Sequence, residues 1–110
     1  MKVKELVEKY SLEELTKMFQ PEREISGGYS GDLLSDVIAN AKKDNIWITM
    51  QTHLNIVAVA TLKEIAVIVI VMNKEVPPET LKKAEEEQIT ILKTELTSFQ
   101  ISGKIYPEIL

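Results

Sequence analysis

Cysteine is absent from this 110-residue chain, and that one absence removes disulfides, zinc–thiolate centres and thiol nucleophiles together. Aromatic residues make up only 5%, so a core has to be built from Ile, Leu, Val and Ala, and there is no aromatic platform for stacking nucleic-acid bases. Basic residues do not dominate either. A net charge of −4 argues against a surface that tracks a phosphate backbone. The longest near-apolar run, Ile65 to Met72, is far short of the roughly 20 residues a membrane helix requires. Met1-Lys2-Val3-Lys4-Glu5 does not lead into the apolar stretch of a signal peptide. A single histidine, His53, with no spaced set of ligands around it, gives no support for a metal centre. The expectation is a cytoplasmic protein that binds neither nucleic acid nor membrane and carries no cofactor or metal.

What is present is ordinary globular material, 45% hydrophobic and 27% charged, of a length that suits one domain. Val3, Leu6, Val7 and Tyr10 are spaced for one helical face. Ser11 followed by Glu14 has the spacing of a capping box, which predicts a second short helix from Leu12 to Phe19, ended by Pro21. Residues 1–20 therefore read as an N-terminal helical segment that could lie on a sheet edge, and residues 23–106 as an α/β core.

In that core, Arg23 to Gly28 reads as a strand running into a glycine turn, with Asp32 as N-cap of a helix carrying Leu33, Leu34, Val37, Ile38 and Ala41. Ile46 to Met50 is a strand. Ala66 to Val71 is a continuous hydrophobic run of the kind that parallel sheets bury on both faces. Parallel neighbours need a crossover of about a dozen residues, so Asn55 to Lys63 is assigned as a buried helix despite its β-branched residues. Pro77-Pro78 opens a helix through Glu87, Ile89 to Leu92 is a strand, and Thr94 is read as the cap of a final helix from Glu95 to Tyr106. The alternation predicts an α/β layered sandwich with a mostly parallel sheet of about four strands flanked by helices.

In such a sheet ligands gather outside the carboxyl ends of the strands. The loops placed there are Gly27 to Asp32, Gln51 to Asn55 and Lys93 to Thr97, with Asn73 to Pro77 as a fourth, and the first three are rich in small polar groups. The glycine turn has the flexibility for close backbone approach, but it is not a Walker A motif, because Gly31 is followed by Asp32 and not by lysine. Asp32 would repel a phosphate. It reads as a helix cap, or as an acceptor for a ribose hydroxyl or a base amino group. His53 could act as a general base only if Asp32, Asp36 or Glu95 met it. Trp47 reads as core or as a dimer anchor.

Four segments together resemble a stand-alone DRTGG domain: Ile25 to Val37, Trp47 to Thr52, Asn55 to Ala60 and Thr94 to Thr97. The Asp-Arg-Thr-Gly-Gly string itself is absent. The resemblance spans about Val3 to Tyr106 and implies a regulatory or ligand-sensing module, not an enzyme. Such domains accompany CBS domains in regulated pyrophosphatases that sense adenine nucleotides. The fold is also similar to the N-terminal domain of HPr kinase/phosphorylase; kinase activity is not expected, because the phosphate-binding motif is missing. The resemblance further implies a bacterial homodimer. Its carried-over ligand-binding set is Gly27, Gly28, Tyr29, Gly31, Asp32, Thr49, Gln51, Thr52, Asn55, Thr94 and Glu95. The leading expectation is a non-catalytic sensor of a small ligand such as an adenine nucleotide, acting through a partner protein. A second reading is a structural protein-protein interaction domain, associated with iron hydrogenase or carbohydrate regulation. A third is a small enzyme using His53.

Overall fold

A computed structural model describes residues 1–109. The chain forms a three-layer α/β/α sandwich around a five-stranded sheet of order β1-β5-β4-β3-β2. Four strands are mutually parallel: β2 (Gly27–Ser30), β3 (Asn45–Thr49), β4 (Val67–Ile70) and β5 (Ile91–Lys93). The two-residue β1 (Glu13–Glu14) lies antiparallel on the outer edge of β5. Helices α2 (Leu34–Asn40), α3 (Asn55–Lys63) and α4 (Pro78–Glu86) cover one face, while α1 (Val3–Lys9) and α5 (Ser98–Ile109) cover the other. No helix among the described residues is long and apolar enough to cross a membrane.

The alternation of side chains along the strands divides the core into two halves. Ile46, Ile48, Val67, Val69 and Leu92 face α1 and α5, whereas Trp47, Ile68, Ile70 and Ile91 face α2 to α4. Trp47 is fully buried, and its Nε1–H donates to the Gly31 carbonyl at 2.9 Å, so its role is core packing with one satisfied polar atom. The crossover helix assigned to Asn55 to Lys63 is present with those bounds. Its buried Ile56, Val57, Val59 and Ala60 show how packing against a sheet overrides the strand propensity of β-branched residues.

Three expectations are corrected. The helix assigned to Leu12 to Phe19 is instead β1 and an irregular run bound to β5. Leu15 N–H donates to Ile91 O at 2.9 Å, and the Thr16 hydroxyl both donates to Ile89 O at 3.0 Å and accepts from Ile91 N–H at 2.9 Å. These bonds occupy what would otherwise be a free sheet edge, a stronger demand than one local capping signal. Second, β2 begins at Gly27, because residues 23–25 pair with the chain start instead: Val3 N–H donates to Arg23 O and Ile25 N–H to Met1 O. Gly27 and Gly28 thus lie within a strand, and no glycine has positive φ. Third, α5 begins at Ser98, not at Glu95. Thr97 and Gln100 form its capping box, with the Gln100 N–H donating to Thr97 Oγ1 at 3.2 Å and the Thr97 N–H to Gln100 Oε1 at 3.0 Å.

The amino edge of the sheet carries three non-glycine residues in the left-handed region, Asp44, Glu64 and Gln88, each in the turn that leads from a helix into a parallel strand. Gln88 is exposed with φ 57, so its Cβ opposes the local backbone with no compensating side-chain hydrogen bond among the described residues. Gln88→Gly is expected to raise stability by about 0.5–1 kcal/mol in urea unfolding, and Gln88→Ala to give no gain.

In the segment before β2, Lys4 and Lys2 bracket Glu22 at 2.6 and 2.9 Å and hold its carboxyl down to about 2. A carboxylate lowered on folding contributes above its unfolded pKa and loses that contribution as pH falls through the folded one. Glu22→Gln should therefore flatten stability between pH 4.5 and about 2 and leave the slope above pH 5 unchanged. Urea midpoints across that range check it.

Candidate functional site

The carboxyl edge of the four parallel strands brings the expected loops side by side, but it engages them with one another. Asp32, in the connection after β2, does not cap α2, whose N-cap is Leu33 without a side-chain cap bond. Its carboxylate crosses to the end of β3 instead. Oδ1 accepts from Thr49 Oγ1 at 2.8 Å and from Met50 N–H at 2.8 Å. Gln51 closes the same loop pair, donating Nε2–H to Asp32 O at 3.1 Å while its own N–H donates to Thr49 Oγ1 at 3.1 Å. Asp32, Thr49 and Gln51 are therefore one clamp between two strand ends, with Thr49 fully buried beneath it.

Gly31 supports this arrangement by close approach. A Cβ there would stand 3.0 Å from the Tyr29 ring, so only glycine lets the ring lie over the turn without displacement. Thr52 is tied sideways, its carbonyl accepting the Thr80 hydroxyl of α4 at 2.9 Å. Asn55 opens α3 and donates its N–H to His53 Nδ1 at 3.1 Å. His53 is thus exposed and engaged at a helix start. Among the described residues, no hydrogen bond or ion pair joins it to Asp32, Asp36 or Glu95.

The other two loops form their own pair. Asn73 N–H donates to Thr94 O and Met72 N–H to Leu96 O, both at 2.9 Å. Thr94 does not cap α5; its buried hydroxyl accepts from Leu96 N–H at 3.2 Å. Thr94 and Glu95 line a hollow of about 330 Å³ together with Asn73, Lys93 and Tyr10. Gly27, Gly28 and Tyr29 line a different groove of about 220 Å³, between β2 and α5. The eleven expected residues therefore fall into three places: the β2–α5 groove, the Asp32 clamp with its flanking loop, and the β5 hollow. The groove was missed because its other wall, Ser102, Ile105, Tyr106 and Ile109, belongs to a helix distant in sequence. The clue was the glycine pair, which sits where a strand needs side chains.

The fold and its polar carboxyl edge define an α/β/α sandwich domain with a mostly parallel, mixed sheet. No family model matches the sequence, and no curated protein matches it. Among solved structures, the chain is similar to the CBS and DRTGG domains of the regulatory region of Clostridium perfringens pyrophosphatase, crystallised with its activator diadenosine tetraphosphate. The TM-score is 0.67 at 14% identity, over 93% of this chain and 44% of that one. The chain spans less than half of that structure's length, and the likeness is one of fold.

The Asp32 clamp makes a measurable demand on stability. Asp32→Ala leaves the buried Thr49 hydroxyl and the Met50 N–H without their acceptor, and is expected to cost about 2 kcal/mol. Asp32→Asn keeps an accepting oxygen, and its cost should be clearly smaller. Chemical denaturation of the two variants without added ligand checks the pair.

Proposed function

We propose that this chain is a non-catalytic regulatory module of the DRTGG type that binds a small ligand, with adenine nucleotides as the first candidates. The observation that carries the reading is the fold likeness to a regulatory region crystallised with an adenine dinucleotide activator, extending over 93% of this chain. The DRTGG-like segments quoted above agree with it. The site geometry supports binding over catalysis. The carboxylate best placed for chemistry, Asp32, is held by two donors at 2.8 Å, and the only histidine is exposed and bonded to a backbone N–H. The His53 Nδ1 lone pair is taken by the Asn55 N–H, which leaves the other ring nitrogen as a donor, and Asp32 Oδ1 is spent on the clamp. We further propose that the module works as a homodimer in the bacterial cytoplasm.

One observation favours the second reading, a protein-docking domain. Leu33, Met50, Leu54, Met72 and Phe99 are large apolar residues, exposed by 39 to 90%, and all lie in segments that follow parallel strands or open helices at the carboxyl edge. Apolar groups gathered on one edge mark surfaces that meet partners.

Thermal unfolding in the presence of diadenosine tetraphosphate, ATP, ADP and AMP separates the two. A ligand present at 100 times its dissociation constant stabilises the native state by about 2.7 kcal/mol, so the sensor reading predicts a rise of several degrees with at least one nucleotide. An unchanged midpoint with all four at millimolar concentration removes the nucleotide and leaves the docking domain. Light scattering on the purified protein reports the dimer in the same preparation.

A further inference from the structure

Gly28 occupies a strand position whose backbone does not call for glycine. Its φ is not positive, and a Cβ built on it would meet Ile46 O at 3.5 Å and Ile109 Cδ1 at 3.8 Å, both ordinary contacts. A side chain is therefore sterically allowed, and glycine in a strand is less stable than alanine by about 0.5–1 kcal/mol. What the missing side chain leaves is space. The groove of about 220 Å³ opens over Gly28, floored by Ile46 and walled by Ile105 and Ile109 of α5.

Among the described residues, none that lines the groove is Asp, Glu, Lys or Arg. A phosphate or carboxylate seated in it would lose water with no counter-charge to receive it. The polar atoms at its mouth are neutral: Ser30 Oγ and Ser102 Oγ stand 2.7 Å apart, one on the strand and one on the helix. Their mutual bond uses one of two hydroxyl protons, so the pair retains a donor and free lone pairs for a ligand edge. Tyr106, 63% exposed, adds an aromatic surface at the rim. The volume lies below the roughly 300–1,000 Å³ of sites that enclose drug-sized molecules, and so matches one ring system and not a whole nucleotide.

We propose that the groove over Gly28 is a binding site for an uncharged planar ring, of the size and polarity of a nucleobase. The ring lies on Gly28 against Ile105 and Ile109, with its polar edge at the Ser30–Ser102 pair. Charged parts of a larger ligand stay outside in solvent. The proposal rests on the ligand-binding role given above for its biological sense, and on the groove's own geometry for its position and selectivity.

The test is an amide-resolved NMR titration of the intact chain with two neutral probes, adenosine and indole, each in the wild type, Gly28→Val and Ser102→Leu. Gly28→Val fills the floor and Ser102→Leu narrows the mouth from a helix surface position, so the second carries the test if the first does not fold. Adenosine or indole is expected to shift the Gly28, Ile105 and Tyr106 amides, and to bind at least tenfold more weakly to a folded variant. The proposal is overturned if neither probe moves these signals at millimolar concentration, or if they move equally in the variants. Stabilisation by a nucleotide that is identical in wild type and Gly28→Val also overturns it, while leaving the ligand-binding module in place. Conversely, a ring that binds the groove while no nucleotide changes the melting midpoint upholds the site and removes the nucleotide.

Discussion

Strand β4 carries no polar side chain. Val67, Ile68, Val69 and Ile70 are all completely buried, with β3 and β5 hydrogen-bonded on either side. A strand of this kind has to be covered on both faces, and parallel neighbours can be joined only through crossovers that supply the covering helices. That constraint sets the three layers, the βαβ path and the division of the core between α1 and α5 on one side and α2 to α4 on the other. It also accounts for the scarcity of aromatics. With only one tryptophan, two phenylalanines and three tyrosines, the interior is filled by Ile and Val, which suit flat, doubly covered strands.

Covering the faces leaves the edges, and the chain treats its two edges differently. At β5, residues 13–16 supply a short antiparallel strand and the Thr16 hydroxyl, so the ladder continues past the last parallel strand. At β2, no further strand among the described residues follows, and the exposed edge is limited to the four residues from Gly27 to Ser30. Short edge strands resist unwanted pairing because they offer few bonds. The Asp32 clamp belongs to the same end of the sheet. It ties the connection after β2 to the end of β3 through side chains, where main-chain pairing alone is brief.

The central architecture was legible because its signals are compositional. The hydrophobic run at Ala66 to Val71 and the absence of any turn residue between Ile56 and Ile65 together forced a parallel sheet and a helical crossover, both of which are present. The N-terminal segment was not legible. Ser11 and Glu14 satisfy a local rule, but Ser11 adopts φ 51 and the following residues bond to β5, a partner some 75 positions away. The final helix start was misplaced for a simpler reason. Thr94 and Thr97 are both cap-competent, and only Thr97 has a glutamine three residues later to complete the reciprocal pair. The candidate site was partly legible: its loops are adjacent, yet adjacency joined Asp32 to Thr49 and Thr94 to Asn73 without making one pocket.

The glycines show why type and spacing alone mislead. Glycine clusters are read as turns because positive φ and close approach are the common reasons to keep them. Here those reasons apply to one residue, Gly31, and by close approach alone, since the Tyr29 ring would stand 3.0 Å from its Cβ. Gly28 has neither reason. It lies on the face of β2 turned toward α5, at the level of Ile109, where a larger residue would extend the apolar layer already formed by Ile46, Ile48, Ile101 and Ile105. A domain whose stability depends on filling both faces of its sheet leaves this position unfilled, on the one parallel strand that has no outer neighbour among the described residues. Filling that position would add to the apolar layer, and the ring site proposed for the groove accounts for its being left open.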